Sequence, residues 1–255
     1  LRGRSARRDA REPRVGSRMS PARAMIFAAG RGERMRPLTD QIPKPLLKVG
    51  GKHLIEWHLE QLSAIGIVEV VINISHLASQ FPQTLGDGSR WNLKIHYLDE
   101  GPMALETGGG MLNALPLLGS DPFVLVNGDV WSDFKLSELP AEIRGDAHLV
   151  LVDKPAYAAH GDFALDVDGQ VQSAGSNLLT YAGIGIYRST IFETWRMACS
   201  DAPGLLETPP RFPIAPLLRR AMREGKVSGQ HHHGRWVDVG TPERLHALDT
   251  EFKRP

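Results

Sequence analysis

The chain has 255 residues, 42% of them apolar and 23% charged, with a formal net charge of +1, which is ample for one large domain, or one domain with a smaller lobe, around a core of its own. No run of about 18 apolar residues could cross a bilayer and no apolar stretch near the N-terminus suits a secretory signal, so a cytoplasmic protein without a membrane partner is expected. The single cysteine, Cys199, excludes an internal disulfide and reads as an inert residue on a helix face.

The first segment, residues 1–23, holds Arg2, Arg4, Arg7, Arg8, Arg11, Arg14, Arg18 and Arg23 against Asp9 and Glu12, a local charge of +6 that leaves −5 on the remainder. A nucleic-acid arm is one reading of such a leader. Its lack of apolar periodicity favours disorder over residues 1–22, or a start at Met19, and no nucleic-acid partner is expected. The apolar run Ala24–Ala29 then meets Gly30 abruptly, as a buried parallel strand feeding a tight loop does. His53–Ile65 places Leu54, Ile55, Leu59, Leu62 and Ile65 on one helical face, with Gly66 as a stop, and Val68–Ile74 reads as a second buried strand. The alternation continues: a short helix around 77–85, a strand over 93–98, a helix around 109–115 and a strand over 123–127. Such a pattern predicts a Rossmann-like α/β fold, a mostly parallel sheet with helices on both faces. From about Ala147 the texture shifts to shorter strand-like pieces (148–152, 163–166, 181–187), which predicts a smaller mixed lobe. A helix over 214–223, a strand at Trp236–Gly240 and a final helix to about Phe252, with Thr241 as N-cap and Pro242 in its first turn, complete the chain.

Two segments carry most of the chemical signal. In Ala28-Ala29-Gly30-Arg31-Gly32-Glu33-Arg34, glycines directly after a buried strand let backbone N–H groups approach an anion, and Arg34 with the proline-flanked Lys44 would add positive charge. The spacing matches neither the dinucleotide fingerprint nor the Gly-Lys-Ser/Thr phosphate loop, and an ordinary turn with an exposed lysine fits the residues equally. Phe123–Asp129 is a buried strand that ends on an acid at the sheet edge where α/β ligand sites form, and Asp238 likewise stands in an apolar strand, Trp236–Gly240. A shared Mg²⁺ and two separate structural acids both account for this pair. Gly108-Gly109-Gly110, read as a loop before a helix, permits close approach to a base or ribose and equally a flexible loop. His231-His232-His233 is not read as a metal site, because successive strand residues point to opposite faces. Trp91, Trp131 and Trp195 read as packing residues.

Taken together, Gly30–Arg34, Pro37-Leu38-Thr39 and Pro43-Lys44-Pro45 resemble the opening motif of the nucleotidyltransferases that activate sugar-1-phosphates. The likeness continues through 105–110, 127–129 and 236–242. Within that family, Glu106–Gly110, Val126–Trp131 and Gly86–Arg90 most resemble the short uridylyltransferases acting on N-acetylmuramate α-1-phosphate, which serve peptidoglycan recycling. The resemblance implies UTP and a sugar-1-phosphate as partners and Mg²⁺ as cofactor. It implies nucleotide contacts from Ala29, Gly30, Gly32, Glu33, Arg34, Lys44, Gly108, Gly109 and Asn127, with Arg34 and Lys44 as the catalytic cations. Asn127 and Asp162 would touch the sugar, and Asp129 and Asp238 would carry the metal. It divides residues 23–255, a single domain, into a nucleotide-binding core (about 23–146), a sugar-binding lobe (about 147–230) and a closing strand and helix (231–255), in a monomer or weak homo-oligomer. Two features of longer relatives are missing from the sequence: a Phe-x-Glu-Lys-Pro segment before Tyr181, and a hexapeptide-repeat tail. Competing expectations are another pairing of NTP and sugar phosphate, such as GTP with mannose-1-phosphate, or a non-catalytic regulatory subunit that binds a nucleotide sugar.

Overall fold

The computed structural model describes residues 21–253; the Arg-rich leader lies almost wholly outside them. In chain order, β1 (Arg23–Phe27) leads into the opening loop, and the small hairpin β2 (Lys48–Val49) and β3 (Lys52–His53) leads into α1 (Leu54–Ala64). Then come β4 (Glu69–Ile74), α2 (Gln80–Leu85), β5 (Lys94–Asp99), α3 (Glu106–Leu118), β6 (Phe123–Asn127) and β7 (Val130–Ser132). The second half holds β8 (Ala147–Val152), β9 (Phe163–Leu165), β10 (Val171–Gln172), β11 (Leu178–Tyr187), α4 (Trp195–Ala198), α5 (Ala215–Arg223), β12 (Val227–His232), β13 (Trp236–Asp238) and α6 (Pro242–Phe252).

The centre is the expected parallel sheet, in the order β6-β1-β4-β5. Its strand residues alternate between two buried faces, which is why these segments read as continuous apolar runs. Ile26, Ile72 and Val126 pack with Ile55, Leu59 and Leu62 of α1. Met25, Val71 and Leu125 pack on the other side with Met111 and Ala114 of α3 and Leu217 and Leu218 of α5. Strands β8 to β12 continue this sheet beyond β6: β11 joins β6 antiparallel, and β8, β9, β10 and β12 extend the sheet from it.

Three departures from the sequence reading have a local physical reason. β1 ends at Phe27 because the Ala28 N–H is taken by the Asn73 side chain at 2.9 Å. α3 begins at Glu106, so Gly108, Gly109 and Gly110 belong to a helix and not to a loop before it. β11 carries a bulge between Tyr181 and Gly185, where Gly183 takes φ 72° and a Cβ would fall 2.6 Å from the Asn127 amide; only glycine allows both the backbone angle and the approach. Cys199 is buried, and burial pushes its thiol up to about 11, in keeping with an inert residue.

Candidate active site

The site is assembled at the carboxyl edge of the parallel strands. The β7 and β13 segments form a two-stranded antiparallel ribbon in which Asp238 pairs with Val130, and the Val239 N–H donates to the Asp129 carbonyl at 3.1 Å. That pairing brings the two acids side by side across a long stretch of sequence. Beneath the ribbon, buried His58 of α1 bonds the Val130 carbonyl through Nε2 at 2.9 Å. Burial pushes this imidazole down to about 4, so it is neutral near pH 7 and donates this bond, a fixed post for the strand that carries Asp129.

Between the acids stands Lys44. Its Nζ donates to Asp129 Oδ2 at 2.7 Å and lies 3.7 Å from Asp238 Oδ1, with the lysine side chain 8% exposed. Pro43 and Pro45 restrict the backbone at this point, and the turn Lys44–Leu46 buries the stem. The other oxygen of Asp238 accepts a bond from Arg244 Nη1 at 2.8 Å. Arg34, 70% exposed along its side chain, has its guanidinium 4.0 Å from the same oxygen. The Arg244 guanidinium also lies 4.1 Å over the ring of exposed Tyr157, and partial burial with the nearby Asp238 charge raises the Tyr157 phenol.

Two hollows flank this cluster. One, of about 210 Å³, lies between Gly32, Glu33, Arg34, Lys44 and Gly240. Gly32 opens it with φ 68°, held by a bond from Thr39 Oγ1 to its carbonyl at 2.9 Å. Burial of Met35 with Val239 and Leu248 leaves Arg34 on the outside. Glu33 lines the hollow as well, and its carboxylate pairs with Arg31 and Arg36. The second hollow, of about 190 Å³, is lined by Ala29, Gly30, Asn127 and Asp129 together with Asn73, Glu100, Glu106 and Thr107. Asn73 donates to Glu100 Oε1 at 2.8 Å and the Leu105 N–H binds the other oxygen at 2.8 Å. Burial raises the Glu100 carboxyl.

Three expected contacts need correction. Gly108 and Gly109 do not line this hollow: both N–H groups donate to the Phe212 carbonyl at 2.9 Å, and Cβ atoms there would collide with Phe212 and with the Pro210 carbonyl. The close approach that the glycines permit is to the strap 210–212 of this chain rather than to a base. Asp162 accepts the Tyr181 N–H at 2.9 Å, beside the bulge of β11; its neighbours His160 and Gly161, and not Asp162 itself, line a cavity of about 650 Å³ in the second half of the sheet. Asn73, Glu100, Tyr157 and Arg244 were missed. Asn73 had a signal, a polar residue inside an apolar strand. So did Arg244, a cation in the first turn of a helix, where the dipole disfavours it unless an acid is near.

The sequence model of the family described as nucleotidyl transferase matches residues 23–254. The chain is 47% identical to the N-acetylmuramate alpha-1-phosphate uridylyltransferase of Neisseria meningitidis serogroup B, covering 88% of this chain and 95% of that protein. It is 34% identical to the protein of the same name from Caulobacter vibrioides, over 91% of this chain and 98% of the relative. The solved structure of the inositol-1-phosphate CTP transferase from T. maritima superposes with a TM-score of 0.69 at 14% identity, over 92% of this chain and 97% of the other, a likeness of fold alone.

Proposed function

Because this chain belongs to the nucleotidyl transferase family, we propose that it transfers UMP from UTP to N-acetylmuramate α-1-phosphate, releasing pyrophosphate, with Mg²⁺ at Asp129 and Asp238. The observation that carries this reading is the acid pair held around one ammonium, Lys44, between two hollows. Two carboxylates that already share a cation and face an open cleft suit a hard divalent ion, which takes its remaining ligands from phosphate oxygens and water. Bound there, Mg²⁺ supplies charge neutralisation at the reacting phosphates. The identity and coverage of the two uridylyltransferases support the choice of base and sugar.

In this reading the sugar phosphate oxygen attacks the α-phosphorus of UTP in line; a new P–O bond forms as the bond to the bridging oxygen of pyrophosphate breaks, and no protein nucleophile is needed. The chain's own work is to hold two anions together. Arg34 and Lys44 face the hollow fit for the triphosphate, Arg244 keeps Asp238 aimed, and Asn127 sits where nucleotide and sugar would meet, its amide fixed against Gly183. The product would serve peptidoglycan recycling in the cytoplasm. The test is pyrophosphate release with Mg²⁺ across UTP, GTP, CTP and dTTP paired with N-acetylmuramate-, N-acetylglucosamine-, glucose- and mannose-1-phosphates. A kcat/KM highest for UTP with N-acetylmuramate-1-phosphate is expected; a different preferred pair would overturn the substrate assignment, and silence across the grid would leave a non-catalytic binder.

A further inference from the structure

The histidine run at the end of β12 is divided by the strand. His232 turns to one side, its Nε2 2.7 Å from Asp133 and its ring edge-on to Phe134. His231 and His233, two residues apart, share the other side, with ring centroids 3.9 Å apart. Parallel pairing of β12 with β8 sets His232 opposite Val152, so Asp153, the next residue, arrives beside both rings. One ligand atom from each of Asp153, His231 and His233 lies within 4.8 Å of the others. We propose that Asp153, His231 and His233 bind a divalent transition-metal ion of the zinc class, at a site separate from Asp129 and Asp238.

The electrostatics of the cluster support a cation. His231 Nε2 is buried and, among the described residues, has no hydrogen-bond partner, although Asp153 Oδ1 lies 3.0 Å away. An ion bound between the three side chains would give this buried nitrogen a partner. Tetrahedral bonds of about 2.0–2.2 Å place ligand atoms roughly 3.4 Å apart, within reach of the present spacing by small side-chain rotations. Two imidazole nitrogens and one carboxylate suit zinc, cobalt or nickel, whereas Mg²⁺ prefers oxygen alone. Three successive strand residues cannot converge on one ion; alternate residues can, and the third ligand comes from just past the end of the neighbouring strand β8. Asp153 and His231 also line the 650 Å³ cavity, so the fourth position is open to water or to an anionic group entering it.

The test titrates metal-free full-length protein with Zn²⁺ against a chromophoric chelator in millimolar Mg²⁺, and repeats it with Co²⁺ while recording visible absorption. One equivalent bound with micromolar or tighter affinity is expected, with a tetrahedral cobalt spectrum. Affinity should fall at least about tenfold in His233→Ala and in Asp153→Asn, and stay unchanged in Asp133→Asn, whose carboxylate bonds His232 and the Arg235 N–H and none of the three ligands. Absence of stoichiometric binding, or binding undiminished in the folded His231→Ala/His233→Ala double variant, would overturn the proposal.

Discussion

Lys44 meets the two carboxylates at unequal distances, 2.7 Å and 3.7 Å, and its removal would leave like charges facing each other. Both acids keep access to water, so the cost in stability is screened and should stay near 1 kcal/mol. The cost in turnover should be far larger, because a preorganised cation at the reacting phosphates is lost. Lys44→Met is expected to lower kcat about a hundredfold to a thousandfold with the circular dichroism spectrum unchanged. Asp129→Ala and Asp238→Ala should each abolish pyrophosphate release while the fold persists; near-normal turnover of either at saturating Mg²⁺ would refute the metal assignment.

At the scale of elements, the ribbon of β7 and β13 and the start of α6 do the aiming. Thr241 caps α6 by accepting a bond from the Arg244 N–H at 3.4 Å, which fixes the turn from which Arg244 reaches back to Asp238. Arg244→Met should therefore cost kcat roughly tenfold, through a freer Asp238, and raise the Mg²⁺ concentration needed for half-maximal rate. A different kind of fit holds α3. At Gly109 a Cβ would stand 2.4 Å from the Pro210 carbonyl, and neither backbone can yield without breaking the bonds to Phe212. Gly109→Ala is expected to destabilise by about 1–3 kcal/mol, a fall in Tm of several degrees for a chain of this size, measured by calorimetry. An unchanged Tm would show that the strap moves freely.

For the molecule as a whole, the buried histidines set the acid limit. His58 is depressed to about 4 when folded and returns near 6.5 when unfolded, so between these values the unfolded chain binds more protons. The resulting stability is fully present above pH 6.5 and is lost as pH falls from 6.5 through 4, about 3 kcal/mol in all. His148, lowered chiefly by burial, acts with the same sign; Glu100, raised by burial, acts with the opposite one. Calorimetry between pH 7 and 4 should show Tm falling most steeply below 6.5, and His58→Gln should flatten that dependence; an equally steep fall in the variant would locate the acid sensitivity elsewhere.

What the sequence determined by itself was whatever depends on neighbours along the chain. Apolar runs bounded by glycine reported the parallel strands, the spacing of Ile55, Leu59 and Leu62 reported α1, and Thr241-Pro242 reported the start of α6, because burial periodicity and capping are local properties. The individual signals at Lys44, Asp129 and Asp238 were legible too, as charges set among apolar or proline-constrained residues. That these three meet was decided only by the tertiary structure: the register of β7 with β13 places the acids together, and residues so distant in sequence leave no trace of that register in composition or spacing. The same holds for the role of Gly108 and Gly109, whose contact is a strap about a hundred residues later. It holds also for His231 and His233, whose third companion arrives on a paired strand.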